Sequence, residues 1–120
     1  MVRPLVVKVT CGPEDAERLN QGFTVAAMAV SAGAEVSLWL TGEASWFGVP
    51  GRAEGFALPG AAPLVDLLAA VVATGRVTVC SQCAGRRGIG EADLLGGVRI
   101  AGAAVFTEEV LRPDAQALVY

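Results

Sequence analysis

The residues best equipped for chemistry lie in the stretch "VTVCSQCAGRRGIG", residues 77–90. Cys80 and Cys83 stand two residues apart there, followed by Arg86 and Arg87. The chain has three cysteines, Cys11 being the third, and no histidine. Without imidazole there is no Cys–His or Ser–His nucleophile pair and no histidine metal ligand. Thiols, carboxylates, arginines, Lys8, hydroxyls and backbone remain. A C-x-x-C pair can be a zinc half-site, a dithiol redox centre, a sulfur-carrying thiol or buried packing. One such pair plus Cys11 supplies three ligands, short of the four of a structural zinc site. Metal binding by Cys11, Cys80 and Cys83 is therefore the weakest reading, and no metal or other cofactor is expected.

These side chains must be positioned by the elements around them. "LVVKV", residues 5–9, is a short apolar run of the kind that forms a buried strand. Pro13 suits a first helical position, and Glu14, Asp15 and Glu17 suit the positive end of a helix dipole. Leu19, Phe23, Ala27 and Val30 then recur at helical spacing up to Gly33. The second half of that helix, "FTVAAMAVSA", is apolar almost all round. That fits burial on a second side at a subunit interface, or equally an Ala-rich helix with a weakly apolar surface.

"EVSLWL", residues 35–40, reads as a second strand. The Gly- and Pro-rich residues 41–60 read as a long loop with one short turn of helix. Trp46 and Phe47 are its anchors, either pinning the loop to the core or forming a lid or interface. A helix runs from Pro63 to Gly75, and "RVTVC" is a third strand. "SQCAGRRG" looks like a short helix stopped by Gly88, and "GEADLLGG" like another helical piece. "VRI" reads as a brief strand, "AAVFTEEVLRP" as a helix ended by Pro113, and "AQALVY" as a final strand. This alternation predicts one α/β domain over residues 1–120, with a mainly parallel sheet.

Parallel sheets place reactive groups beyond the carboxyl ends of their strands. Cys11 follows the first strand, Cys80 ends the third and Cys83 lies in the next turn, so all three thiols are expected on one sheet edge. If Ser81 caps the short helix, Cys80 sits at its positive end, which lowers a thiol pKa. Arg86 and Arg87, three and four residues beyond Cys83, share its helix face. Both features favour the thiolate, the form that attacks electrophilic sulfur. A thioredoxin-like dithiol fits the helix start, but the pair follows a late strand and no proline stands between the cysteines.

Bulk properties exclude several classes. The net charge is −3 and the only basic cluster is Arg86–Arg87, so no nucleic-acid partner is expected. No apolar run reaches the ~18–20 residues of a membrane span. "MVRPLVVKVT" reads as a strand and not as a signal peptide. Three cysteines, an odd number, suit a reducing compartment, and a cytoplasmic location is expected.

The pattern resembles the DsrE/DsrF-like family, which includes the YchN and TusD types. The resemblance rests on "CGPEDAERLNQGFTVAAMAVSAG" after the first strand, "EVSLWLTGEA", "VTVCSQCAGRRGIGEADLLGGVRIAG" and the ending "ALVY". Its sharpest part is Cys80 followed after five residues by "RRG". The resemblance implies a three-layer α/β/α sandwich around about five parallel strands. It implies a homo-oligomer, trimer or hexamer, and sulfur transfer for some members. Cys80 matches the cysteine that carries a persulfide in relay members. Cys83 matches a second cysteine of YchN-type members and departs from the single-thiol relay pattern, since it could release the sulfur from Cys80.

The reading that follows is a small protein handling sulfane sulfur, in relay or in reduction. Cys80 and Cys83 would be catalytic, and Arg86, Arg87 and Ser81 would stabilise the thiolate. Cys11, Gly12, Trp46 and Phe47 would line an edge pocket, with a sulfur-donor or acceptor protein as partner. The alternative is a non-catalytic oligomeric binding module whose cleft lies at the carboxyl edge of the sheet and whose thiols are passive.

Overall fold

The computed structural model describes residues 2–120. The apolar and β-branched runs form five strands: β1 (Pro4–Val9), β2 (Glu35–Leu40), β3 (Arg76–Cys80), β4 (Val98–Ala101) and β5 (Gln116–Val119). Neighbours pair in parallel, in the order β4-β3-β2-β1-β5. Helices α1 (Ala16–Ser31), α2 (Leu64–Thr74), α3 (Ser81–Arg87) and α4 (Ala103–Val110) make the crossovers. The architecture is the α/β sandwich expected from the alternation.

The strand order decides which face each helix covers. From β1 to β4 the chain steps across the sheet in one direction, and right-handed crossovers lay α1 and α2 on one face. The step from β4 to β5 runs back across the sheet, so α4 covers the other face. On the first face Val7, Val9, Leu38, Leu40, Val77 and Val79 pack against Leu19, Phe23, Leu64, Leu68 and Val71. The central strand β2 is buried on both faces beyond Glu35, as a parallel strand covered on both sides must be.

On the second face, α4 meets the sheet through polar contacts. Glu109 of α4 is buried; its carboxylate accepts from Ser37 Oγ at 2.6 Å and Trp39 Nε1 at 2.9 Å. Arg99 Nη2 at 2.8 Å and Arg76 Nη1 at 3.3 Å supply its counter-charge. Phe106 stands edge-on to Trp39 with ring centroids 5.3 Å apart.

The long loop is more ordered than a loop with one short helical turn. Residues Gly42–Gly48 form a continuous 3-10 segment. Phe47 is buried within it and packs edge-on against Phe23 and Phe56. Phe47 therefore pins the segment to the core, the plainer of the two roles expected for it. Gly42 opens the segment with φ +54°, and a Cβ there would lie 2.5 Å from the Thr10 carbonyl oxygen. Only glycine makes this turn without strain.

Candidate functional site

Cys80 is the last residue of β3 and the cap residue of α3, with an extended backbone (φ −61°, ψ 130°). The expectation that Ser81 caps this helix is corrected: Ser81 is exposed and is the first helical residue, and no side chain caps α3. The cap position itself belongs to the thiol. A side chain there faces the free N–H groups of the first turn, a geometry that favours a thiolate. Partial burial pushes the Cys80 thiol up, but the backbone N–H groups of Cys83 and Gln82, the Cys83 thiol and the Lys8 charge outweigh it. The net direction is below an ordinary thiol. The left-handed Gly88 (φ +66°) ends α3, as its sequence position predicts.

Cys83 is buried and faces the end of β2. The Gly42 N–H donates to its Sγ at 3.2 Å. The turn that requires glycine at residue 42 thus holds the second thiol in place. The two arginines do not meet the thiols. Arg87 Nε pairs with the Glu43 carboxylate at 2.8 Å, and its Nη1 donates to the Cys83 carbonyl at 3.1 Å. Its charge is thus taken up by the loop carboxylate and by a carbonyl of its own helix. Arg86 is exposed. Neither guanidinium is among the largest influences on the Cys80 thiol.

A cation that favours the Cys80 thiolate is Lys8 of β1, whose position in the sequence assigns it no such role. Strand register aligns Lys8 with Trp39 and Trp39 with Thr78. Alternation then sets Lys8, Trp39, Thr78 and Cys80 on the face that α4 covers. The Lys8 ammonium lies 4.7 Å from the Phe106 ring centroid, a cation–π contact that holds it over the sheet. A sequence signal for it exists. Lysine is out of place in an apolar strand of a parallel sheet, and period 2 turns it away from Val7 and Val9.

Cys11 lies at the same sheet edge, as expected, but two strands away from the other thiols, with β2 between. It is buried in the first core, and its Sγ donates to the Asp15 carbonyl at 3.8 Å. Burial, with the charges of Asp15 and Glu14, pushes this thiol up, opposite to Cys80. A cavity of about 350 Å³ is lined by Trp46 and Phe47, with Pro13, Glu43, Gly51, Arg52, Gly55 and Phe56. Cys11 and Gly12 are not among its walls. Gly12 instead gives its N–H to the Glu14 carboxylate at 2.9 Å and packs directly against Glu43. Among the described residues, no group of three or more cysteine and carboxylate side chains gathers as a metal site would require.

The defining pattern of the DsrE/DsrF-like family matches residues 5–116. No curated protein sequence matches the chain. Among solved structures, it is similar to the ychN protein from E. coli, with TM-score 0.83 and 21% identity over 99% of this chain and 100% of that one. It is also similar to MTH1491, a protein of unknown function from Methanobacterium thermoautotrophicum. That TM-score is 0.65, at 12% identity over 98% of this chain and 99% of that one. At such identities the two structures establish the fold.

Proposed function

The chain belongs to the DsrE/DsrF-like family, and on that footing we propose that it handles sulfane sulfur, with Cys80 as the acceptor. The observation that carries this reading is the cap position of Cys80, where two backbone N–H groups, the Cys83 thiol and Lys8 favour its thiolate over burial. That thiolate attacks the outer sulfur of a donor persulfide, R–S–SH. The donor S–S bond breaks, its electron pair leaves on R–S⁻, and Cys80 holds a persulfide. The same N–H groups suit the anionic persulfide.

Two exits follow. In relay, an acceptor thiolate attacks the outer sulfur and restores the Cys80 thiolate. In reduction, the Cys83 thiolate attacks Cys80 Sγ and HS⁻ departs. The resulting Cys80–Cys83 disulfide is then reopened by an external dithiol through exchange. The closeness of the two thiols supports the second exit, and a reducing, cytoplasmic setting suits both. The partner is a sulfur-donor or acceptor protein, and the working form is a homo-oligomer. Apolar side chains left exposed on the single chain support the latter, Met28 on α1 and Leu118 and Val119 on the edge strand β5 among them.

The test is to incubate the reduced protein with a persulfide donor and map sulfur addition by peptide mass. The expected product carries sulfur on Cys80, is absent in Cys80→Ser and accumulates in Cys83→Ser. A Cys80 that gains no sulfur while a free-thiol control does would refute the reading.

A further inference from the structure

The cavity at Trp46 and Phe47 has a composition that the sulfur chemistry at Cys80 does not explain. Its walls carry one guanidinium, one carboxylate and aromatic rings. The Arg52 guanidinium carbon lies over the Trp46 ring, 4.2 Å from its centroid. Among the described residues no carboxylate pairs with Arg52, which leaves its N–H fork available. Glu43 is fixed through Oε2 by Arg87, leaving Oε1 without an assigned donor. Contact with an aromatic face holds the planar guanidinium in place, where its fork can meet a carboxylate bidentately. The cavity therefore offers one held cationic fork and one held carboxylate, with apolar walls of Phe47, Phe56 and Trp46 between.

This polarity matches a ligand with a carboxylate and an ammonium group on a small body. The volume of about 350 Å³ lies at the small end of ligand pockets. The cavity also connects to Cys83 through two consecutive residues. Glu43 is on its wall, while the N–H of the preceding Gly42 holds Cys83 Sγ at 3.2 Å. We infer that this cavity binds an amino-acid-sized zwitterionic persulfide as the small-molecule sulfur donor. Arg52 takes the carboxylate, Glu43 the ammonium, and the apolar walls the sulfur-bearing side chain. The donor role rests on the sulfane-sulfur reading above, whereas the binding site does not. The transfer step is the one already balanced, with the amino-acid thiolate as R–S⁻.

The test separates the two. S-methyl-L-cysteine has the charges and size of the ligand but cannot exchange sulfur. Titrated into the wild-type protein and followed by two-dimensional NMR, it is expected to shift the Trp46 indole N–H saturably. Trp39, whose indole is buried and bonded to Glu109, stays in place and reports an intact fold. The N-acetyl methyl ester of the same compound, lacking both charges, is expected to bind at least tenfold more weakly. Arg52→Gln is expected to weaken S-methyl-L-cysteine by about tenfold or more, as loss of a hydrogen-bonded charge pair does. Arg52→Lys should retain part of the affinity.

No saturable shift, or equal shifts from the zwitterion and the neutral ester, overturns the inference. Sulfur loading of wild-type Cys80 by inorganic polysulfide is measured alongside. If it succeeds while the amino acid does not bind, the cavity assignment fails and the sulfur reading stands. If it fails while the amino acid binds, the reverse holds.

Discussion

Lys8→Met removes a side-chain charge that favours the Cys80 thiolate while keeping an unbranched apolar stem in the strand. Two strand spacings of about 4.8 Å and a two-residue rise of about 6.6 Å put the Lys8 and Cys80 backbones about 12 Å apart. The lysine stem spans part of this, leaving about 8 Å between ammonium and sulfur. Two unit charges at that separation interact by about 0.5 kcal/mol in bulk water and about 2 kcal/mol at an effective dielectric of 20. Lys8 and Cys80 are both half-buried, so an intermediate value of about 1 kcal/mol applies, about a fivefold change in the thiolate fraction.

The sign is fixed by the chemistry. Losing a nearby positive charge disfavours the anion, so the variant must be taken to higher pH for the same reactivity. The assay is the rate of Cys80 alkylation by iodoacetamide against pH, with Cys80 identified by peptide mass. The variant should react about fivefold more slowly below the wild-type midpoint and equally fast well above both midpoints. The difference should shrink in high salt, since the Debye length at 0.15 M is already about 8 Å. Superimposable profiles would refute the role of Lys8. A wild-type profile like that of an ordinary free thiol would refute the activated Cys80 and favour passive thiols.

Glu109→Ala leaves Arg99, Arg76, Ser37 and Trp39 without their shared acceptor and should cost about 2–3 kcal/mol in chemical denaturation. That is below the value for a fully buried pair because both arginines reach solvent. Burial pushes the Glu109 carboxyl up, but its bonds from Ser37, Trp39 and Arg99 outweigh this and hold it below the usual range. Its contribution is then present above the unfolded carboxylate pKa and lost as pH falls through the lower folded value. The gap between wild type and Glu109→Gln should narrow over that acid window. Gly22→Ala would put a Cβ 2.5 Å from Val9 Cγ2 in the main core. It should destabilise by about 1–3 kcal/mol, read as a lower denaturation midpoint at unchanged slope.

Most of the fold was legible because each element carries its own local signal. "LVVKV", "EVSLWL" and "RVTVC" are too short and too β-branched for helices, and Pro63 and Gly75 bracket α2. Strand order has no such signal, since it depends on which crossovers fit together. Without it, the distance from Cys11 to Cys80 could not be read. Of the candidate site, the closeness of Cys80 and Cys83 followed from their spacing. The partners of Arg87 did not, because its best acceptor, Glu43, lies 44 residues earlier in a loop. Helical spacing puts Arg87 near Cys83 correctly, but it meets the carbonyl and not the sulfur. Ser81 was misjudged by one position, which in a cap changes the residue's role entirely. Lys8 was hidden because its importance arises from a strand two places away in the sheet.

The sheet order also carries a kinetic consequence. Strands β1 to β4 join the sheet in the order in which they are synthesised, each beside the one before. β5 instead pairs with β1, a contact spanning nearly the whole chain, with Thr10 bonded to the Tyr120 carbonyl. Such non-local closure is slow and comes late. A nascent chain can therefore form the Cys80 cap at α3 well before α4 lays Phe106 over Lys8. The thiol's scaffold and its electrostatic tuning belong to different stages of folding, and reactivity should mature after the sheet's central strands are already in place.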